Sequence, residues 1–512
     1  MNPKVLVVGG SFGGLNAAHA LKRTLKDKVD VTVVARQSDF VFLPSLIWVV
    51  TGGRNPGQVS FELKPTLESK GIKFVKARVD AIDPAAQKVT TENGVLDYDY
   101  LVLATGPKLE WEAIAGLGPE GGFTHSVCSL PHSLEAQKTF KEFLSDPGPV
   151  VIGATQGASC FGAAYEVAFN IEHALRKAGV RDRAPVTFVS SEPFLGHFGM
   201  GGLGNGEALV KRFFEARGIE WVVNTGVDRV EQDKIVLSGG KELPYKYSIL
   251  IPPFLGIDAV RNSPGLCNAR GFLTVNDQYQ SPSFPNIFGA GVGVAVAPPE
   301  PTEIPTGVPK TGYMSEVMGH ICAHNIAAAI TGSEPETRKF GDIDALCILD
   351  AGDSGVIMAT DKIFKPRKRE WLFPGPWAHW SKLAFERYYL WKMRTGAVEP
   401  ALTRCSAVAP AAARRSKLLL AAVAPPDVAW SYPWGYRDAS AGLTLWRSCV
   451  GGHHDQGRRP RRLQLKRGER SLLGRSVRVA VSRSGSTRFR RHAGRLAGVW
   501  HASVAADRAA EA

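Results

Sequence analysis

Short apolar runs, each closed by a glycine or another small residue, recur through the first part of the chain. KVLVVGG (Lys4–Gly10) is continuously apolar, as a strand buried on both faces of a parallel sheet should be. SFGGLNAAHALKRTL then has helical spacing, and VDVTVVAR (Val29–Arg36) reads as a second buried strand, completing a βαβ unit. YDYLVLATG (Tyr98–Gly106) is a further strand ending in a turn. The same alternation returns in PVVIGA and PVTFVSS, with YEVAFNIEHALRKAG as the helix between them. YSILIPPF and NIFGAG are additional buried strands, and TGYMSEVMGHICAHNIAAAITG predicts a long helix closed by Gly332. These elements predict an α/β fold of two nested Rossmann-like domains, the second inserted in the first. The expected boundaries are 1–110 and 276–332 for the outer domain and 111–275 for the inserted one. A C-terminal region follows over 333–400, and a tail over 401–512.

Two stretches break this pattern. Between Lys362 and Gly396 four Trp, three Phe and two Tyr are interleaved with Lys and Arg. Trp377, Trp380, Ala384, Tyr388 and Trp391 share one helical face. Such a face suits either a core helix capping the domain or an interfacial helix, apolar on one side and cationic on the other. Beyond Pro400 periodicity is lost in favour of Ala, Arg, Gly and Ser. A basic arm and a disordered tail are both compatible with that composition, and translation out of register fits it best.

Charge sharpens the division. The chain carries +14, but the tail from 401 holds 21 basic against 6 acidic residues. The remaining 41 basic and 42 acidic residues leave the body almost neutral, which excludes a nucleic-acid role for it. Seven cysteines show neither zinc-finger nor CxxC spacing. The N-terminus runs straight into a strand, so no signal peptide is expected, and no apolar run is long enough to cross a membrane.

Three motifs point to FAD. VLVVGGSFGG is a dinucleotide fingerprint in which Gly9 permits the tight turn and Gly14 close helix–strand packing. Its middle glycine is Ser11, and Ala35-Arg36 stands where an acid is usual. LVLATGPK (Ala104, Thr105, Gly106) and SPSFPNIFGAGVGV (Gly291) resemble the second and third flavoprotein signatures. VPKTGYMSE opens the long helix, whose N-terminus would aim its positive dipole at a flavin carbonyl; a plain cap by Thr311 is the alternative.

PVVIGATQGASCFGAAYE raises a different possibility. A second nucleotide site would need glycine at Thr155 and near Ala158. Instead Cys160 sits where a helix begins, where the dipole would lower a thiol pKa and favour a nucleophile. Glu166 can return to the same pocket as a proton acceptor. The alternative is an inert buried cysteine.

The body, over roughly residues 3–400, resembles the sulfide:quinone oxidoreductases, bacterial membrane-bound flavoproteins of the disulfide oxidoreductase superfamily. The resemblance rests on SVCSLPHS, VIGATQGASCFGAAYE, SSEPFLGHFG, PTGVPKTGYM and ALCILDAGDSG, with KPRK and LAFERYYLWKM beside them. It implies that Cys160 and Cys347 form a redox bridge, with Cys128 an auxiliary thiol and Glu166 close by. It makes His132 and His197 proton relays on the quinone side, and sets Phe385 and Phe42 at the quinone ring. The implied FAD-binding set is Gly9, Ser11, Phe12, Gly13, Gly14, Ala35, Arg36, Arg78, Ala104, Thr105, Gly106, Gly291, Lys310, Thr311 and Gly312. Hydrosulfide would attack the bridge, and electrons would pass through FAD to ubiquinone or menaquinone while polysulfide grows. A homo-oligomer lying peripherally on the bacterial inner membrane is also implied, with residues 333–400 as its quinone and membrane region. Family members continue past Pro400 with an apolar, aromatic segment that AVEPALTRC does not match. Three rivals share the fold: a type-two NADH:quinone dehydrogenase, a flavocytochrome c-type sulfide dehydrogenase flavoprotein, and a non-catalytic redox sensor.

Overall fold

The computed structural model of the chain describes residues 2–397, so the expectations for the tail lie outside the described residues. Strands β1 (Lys4–Val8), β2 (Asp30–Ala35), β3 (Lys73–Lys76) and β4 (Tyr100–Leu103) pair in parallel, in the order β4-β1-β2-β3. Val5, Val7, Val31, Val33 and Val102 are buried within this sheet, where β-branched side chains fit the pleat. The chain then leaves for β5 (Val150–Ala154), β6 (Val186–Ser190), β7 (Ile219–Val222) and β8 (Tyr247–Ile251). These form a separate parallel sheet in the order β7-β6-β5-β8. It returns with β9 (Ile287–Gly289), which joins the first sheet beside β4.

The first turn shows why glycine is needed. Gly9 has φ +118°, and a Cβ there would sit 2.1 Å from the Ala104 carbonyl oxygen. A Cβ on Gly14 would meet the Gly9 carbonyl oxygen at 1.9 Å. Only glycine lets helix α1 (Phe12–Leu25) start so close to the strand ends. Four further helices matter to the site: α2 (Leu46–Val50), α3 (Leu130–Phe143), α4 (Phe161–Lys177) and α5 (Gly312–Thr331). Helix α5 ends at the left-handed Gly332, as its sequence predicts.

An antiparallel sheet follows: β10 (Ala345–Asp350), β11 (Gly355–Thr360) and β12 (Glu370–Pro374). Helix α6 (Pro376–Thr395) packs on β10 and β11. Its pattern is inverted. Lys382, Glu386, Tyr389, Lys392 and Met393 are buried, whereas Trp377, Trp380 and Trp391 are 40%, 57% and 55% exposed. The tryptophan face is therefore not a core face. The buried charges are tolerable because each is paired. Lys382 bonds Glu166, Lys392 and Tyr389 bond Glu316, and Glu386 accepts from Arg54 and from Ser45 Oγ. Among the described residues no helix is long and apolar enough to cross a membrane.

Candidate active site

Cys160 is the N-cap residue of α4, placed by the turn that follows β5. Cys347 lies in the middle of β10, opposite Met358. Cys128 precedes α3, its amide hydrogen-bonded to Ser126 Oγ. The three come from distant segments, yet Cys160 is the electrostatic neighbour of both others. All three thiols are free.

The Cys160 thiol does not have the lowered pKa its helix-start position suggests. Burial pushes it up, the Ala163 amide of the first helical turn pulls it down, and the nearby Glu166 carboxylate raises it again. Cys160 is nonetheless exposed to open space. The thiol is thus surrounded by protein on most sides and still reachable from outside. Burial likewise pushes Cys128 and Cys347 up to about 12, Glu166 adding to the effect on Cys347.

Glu166 faces the same place. Its Oε1 accepts from the Asp350 amide at 2.7 Å and from the Lys382 ammonium. Burial raises its pKa, and Lys382 is the main opposing influence. Asp350 is fully buried at the end of β10. Its carboxylate accepts from Trp48 Nε1 at 2.9 Å and pairs with His379 Nδ1 at 2.7 Å. Glu166 thus meets Lys382 and the amide of Asp350, and the Asp350 carboxylate in turn holds His379, whose side chain is 24% exposed.

Lys382, Asp350, Trp48 and His379 are absent from the residues the sequence singled out. Asp350 lies within ALCILDAGDSG, and His379, Lys382, Glu386 and Tyr389 recur at helical spacing opposite the tryptophans. That second stripe was the available signal.

The two histidines that the resemblance makes proton relays have partners of their own. His132, on α3, sits 3.3 Å from Glu120 and edge-on to Trp111. His197 is buried, accepts from the Gly199 amide, and has Glu300 at 3.7 Å. Burial lowers its pKa. Phe42 and Phe385 do meet, with ring centroids 6.2 Å apart, and both contact Tyr389. Phe42 is fully buried behind the partly exposed Phe385.

The residues expected to hold FAD converge on the first sheet. Ser11, Phe12, Gly13 and Gly14 open α1, Ala35 and Arg36 end β2, and Ala104–Gly106 end β4. Gly291 follows β9 with φ +81°. Arg78 is turned outward to Asp80, with Nε at 2.7 Å, because a short-range ion pair satisfies it on the surface. Thr311 is the N-cap of α5, but its side chain makes no cap bond. Its Oγ1 is buried without a partner. The neighbouring Lys310 ammonium lies 5.4 Å from the Phe272 ring, and burial lowers its pKa to about 8. The glycine cradle at Gly9 and Gly14, the orphaned hydroxyl and the cation together fit a flavin with its diphosphate at α1 and its ring at α5.

This fold and thiol-lined site belong to the pyridine nucleotide-disulphide oxidoreductase family, whose model matches residues 3–310. Within it the chain falls among the sulfide-quinone reductases. It is 40% identical over 407 residues to the sulfide-quinone reductase of Aquifex aeolicus, covering 78% of this chain and 93% of the relative. The X-ray structure of the sulfide:quinone oxidoreductase from Aquifex aeolicus matches with a TM-score of 0.73 at 40% identity. That match covers 77% of this chain and 92% of that one. A mitochondrial sulfide:quinone oxidoreductase of Dictyostelium discoideum is 27% identical over 374 residues, 70% of this chain and 77% of the relative.

Proposed function

We propose that the chain is an FAD-dependent sulfide:quinone oxidoreductase working through a Cys160–Cys347 bridge. The observation that carries this is Cys160, exposed and neighbour to Cys128, Cys347 and the buried Glu166. The bridge, when oxidised, offers hydrosulfide an electrophile. Glu166 accepts the proton released as the new sulfur–sulfur bond forms. Cys128 holds growing polysulfide beside the pair. FAD, when bound, supplies two-electron transfer from the sulfur side to quinone. Lys310 and Thr311, at the start of α5, hold positive charge and a hydroxyl toward its ring, and Gly9–Gly14 receive its diphosphate. Phe385 stacks on the quinone, backed by Phe42.

The NADH reading fares worse. The turn where a second diphosphate would lie is closed by Thr155 and Ala158, both fully buried. The outward tryptophans of α6, with Phe373 and Trp371 on β12, support a face resting on a bilayer surface. Domain limits of 1–110 with 276–332, 111–275 and 333–400 follow the chain's passage between the two parallel sheets. A homo-oligomer at the bacterial inner membrane, using ubiquinone or menaquinone, extends this reading on the strength of the family resemblance.

Anaerobic mixing of the FAD-loaded enzyme with sulfide tests the proposal. Sulfide should bleach the flavin and NADH should not. Cys160→Ala and Cys347→Ala should abolish bleaching, Cys128→Ala should slow it, and Cys322→Ala, buried in α5 away from the bridge, should leave it near native. Native rates in Cys347→Ala would remove the bridge from the mechanism.

A further inference from the structure

The sulfide half of the reaction must dispose of a proton inside a site that burial has closed. Hydrosulfide adds to one sulfur of the bridge. A new S–S bond forms, the old one breaks, and its electron pair leaves on the other cysteine as thiolate. The persulfide so made still carries the substrate's proton. Two electrons then depart to quinone in the activity proposed above, on which this inference rests, and the proton set down beside the thiols needs a route of its own to the solvent. Left at Glu166, it would neutralise the acceptor after one turnover.

We infer that His379 is the exit for this proton, acting through Asp350, Lys382 and Glu166. Glu166 touches the route at its inner end, where Cys160 and Cys347 both act on it or are acted on by it. The Lys382 ammonium bonds Glu166, and the same carboxylate oxygen accepts from the Asp350 amide, so the inner and outer halves of the route meet at the end of β10. Asp350 holds His379 by a 2.7 Å bond, and Trp48 fixes the other carboxylate oxygen. His379 and Lys382 lie one turn apart on α6, so a single helix presents both relay groups to the body. Lys382 gives a proton toward the Asp350–His379 pair and takes the one on Glu166. His379 then releases a proton from its exposed edge, and the carboxylate is free again. Cys160, Cys347, Glu166, Lys382, Asp350 and His379 are the titratable groups of the path. His132 and His197 are tied to Glu120 and Glu300 instead.

His379→Gln keeps a donor for Asp350 but cannot carry a proton. In the FAD-loaded enzyme, steady-state reduction of a soluble quinone by sulfide at neutral pH should slow by about 10- to 100-fold, within the span of proton-transfer catalysis. FAD content should be unchanged, and imidazole added to the buffer should restore much of the rate. A merely structural role for His379 would not respond to imidazole. Turnover at the native rate, or slow turnover indifferent to imidazole, would overturn the assignment. If the Gln variant loses FAD, His379→Asn measured in the same way decides. A native enzyme that sulfide fails to bleach, while dithionite does, would sink the sulfide reading itself and this inference with it.

Discussion

Lys382 sets the working state of Glu166. Burial favours the neutral carboxyl, and the ammonium and the Asp350 amide pull it back toward the carboxylate. Lys382→Met removes the stronger of these opposing influences and so lifts the Glu166 pKa further. A proton acceptor works as the carboxylate, so the rate of sulfide-driven flavin reduction rises with pH through that pKa. In the variant this rise should therefore come at higher pH, read by rapid mixing across a pH series. An unmoved profile would detach Glu166 from proton transfer. Leaving a buried carboxylate unpaired costs about 3–5 kcal/mol, a cost the variant avoids by protonating it. The thiol and carboxylate positions could be read from the chain, because Cys160 and Glu166 share one helix. The direction of the Cys160 shift could not. It depends on how deeply segments around residues 128 and 347 enclose the thiol, and no local pattern records that.

Helix α6 shows the same limit at the scale of an element. The tryptophan face was visible in the spacing, but its orientation was not, since either face of such a helix can bury. The ion pairs decide it: Glu166, Glu316, Asp350 and Arg54 come from four other parts of the chain. The strands were easier. Val5–Val8 is apolar without a break, and Val31–Val34 is interrupted only by Thr32, because both sheet faces are covered. Trp377, Trp380 and Trp391 make few inward commitments, so changing all three to Ser should spare the fold. Binding to anionic vesicles should fall by about 10-fold or more, judged from the apolar surface removed. Co-sedimentation of the native and variant enzymes measures this, with FAD content as the check on folding. Equal sedimentation would place the membrane contact elsewhere.

At the scale of the molecule, every residue assigned to FAD, sulfide or quinone lies before residue 397. Truncation after Pro400 should leave FAD content and sulfide-driven bleaching unchanged, assayed on the shortened chain. Loss of flavin would give residues 401–512 a part in the fold. The nesting of one sheet's strands inside the other's was legible from the repeated strand–turn–helix pattern. The convergence of Cys128, Cys160 and Cys347 was not, because it needs the inserted sheet, α3 and β10 at once. The inverted pattern of α6 carries a practical consequence. An ordinary amphipathic anchor is glued to its own protein by the hydrocarbon side chains that detergents compete for. Helix α6, the proposed membrane face, is instead fastened by buried ammonium–carboxylate and imidazole–carboxylate clasps and turns its greasy side away. Mild non-ionic surfactant should therefore lift the enzyme from lipid without prising the helix from the catalytic body, so extraction and inactivation become separable events.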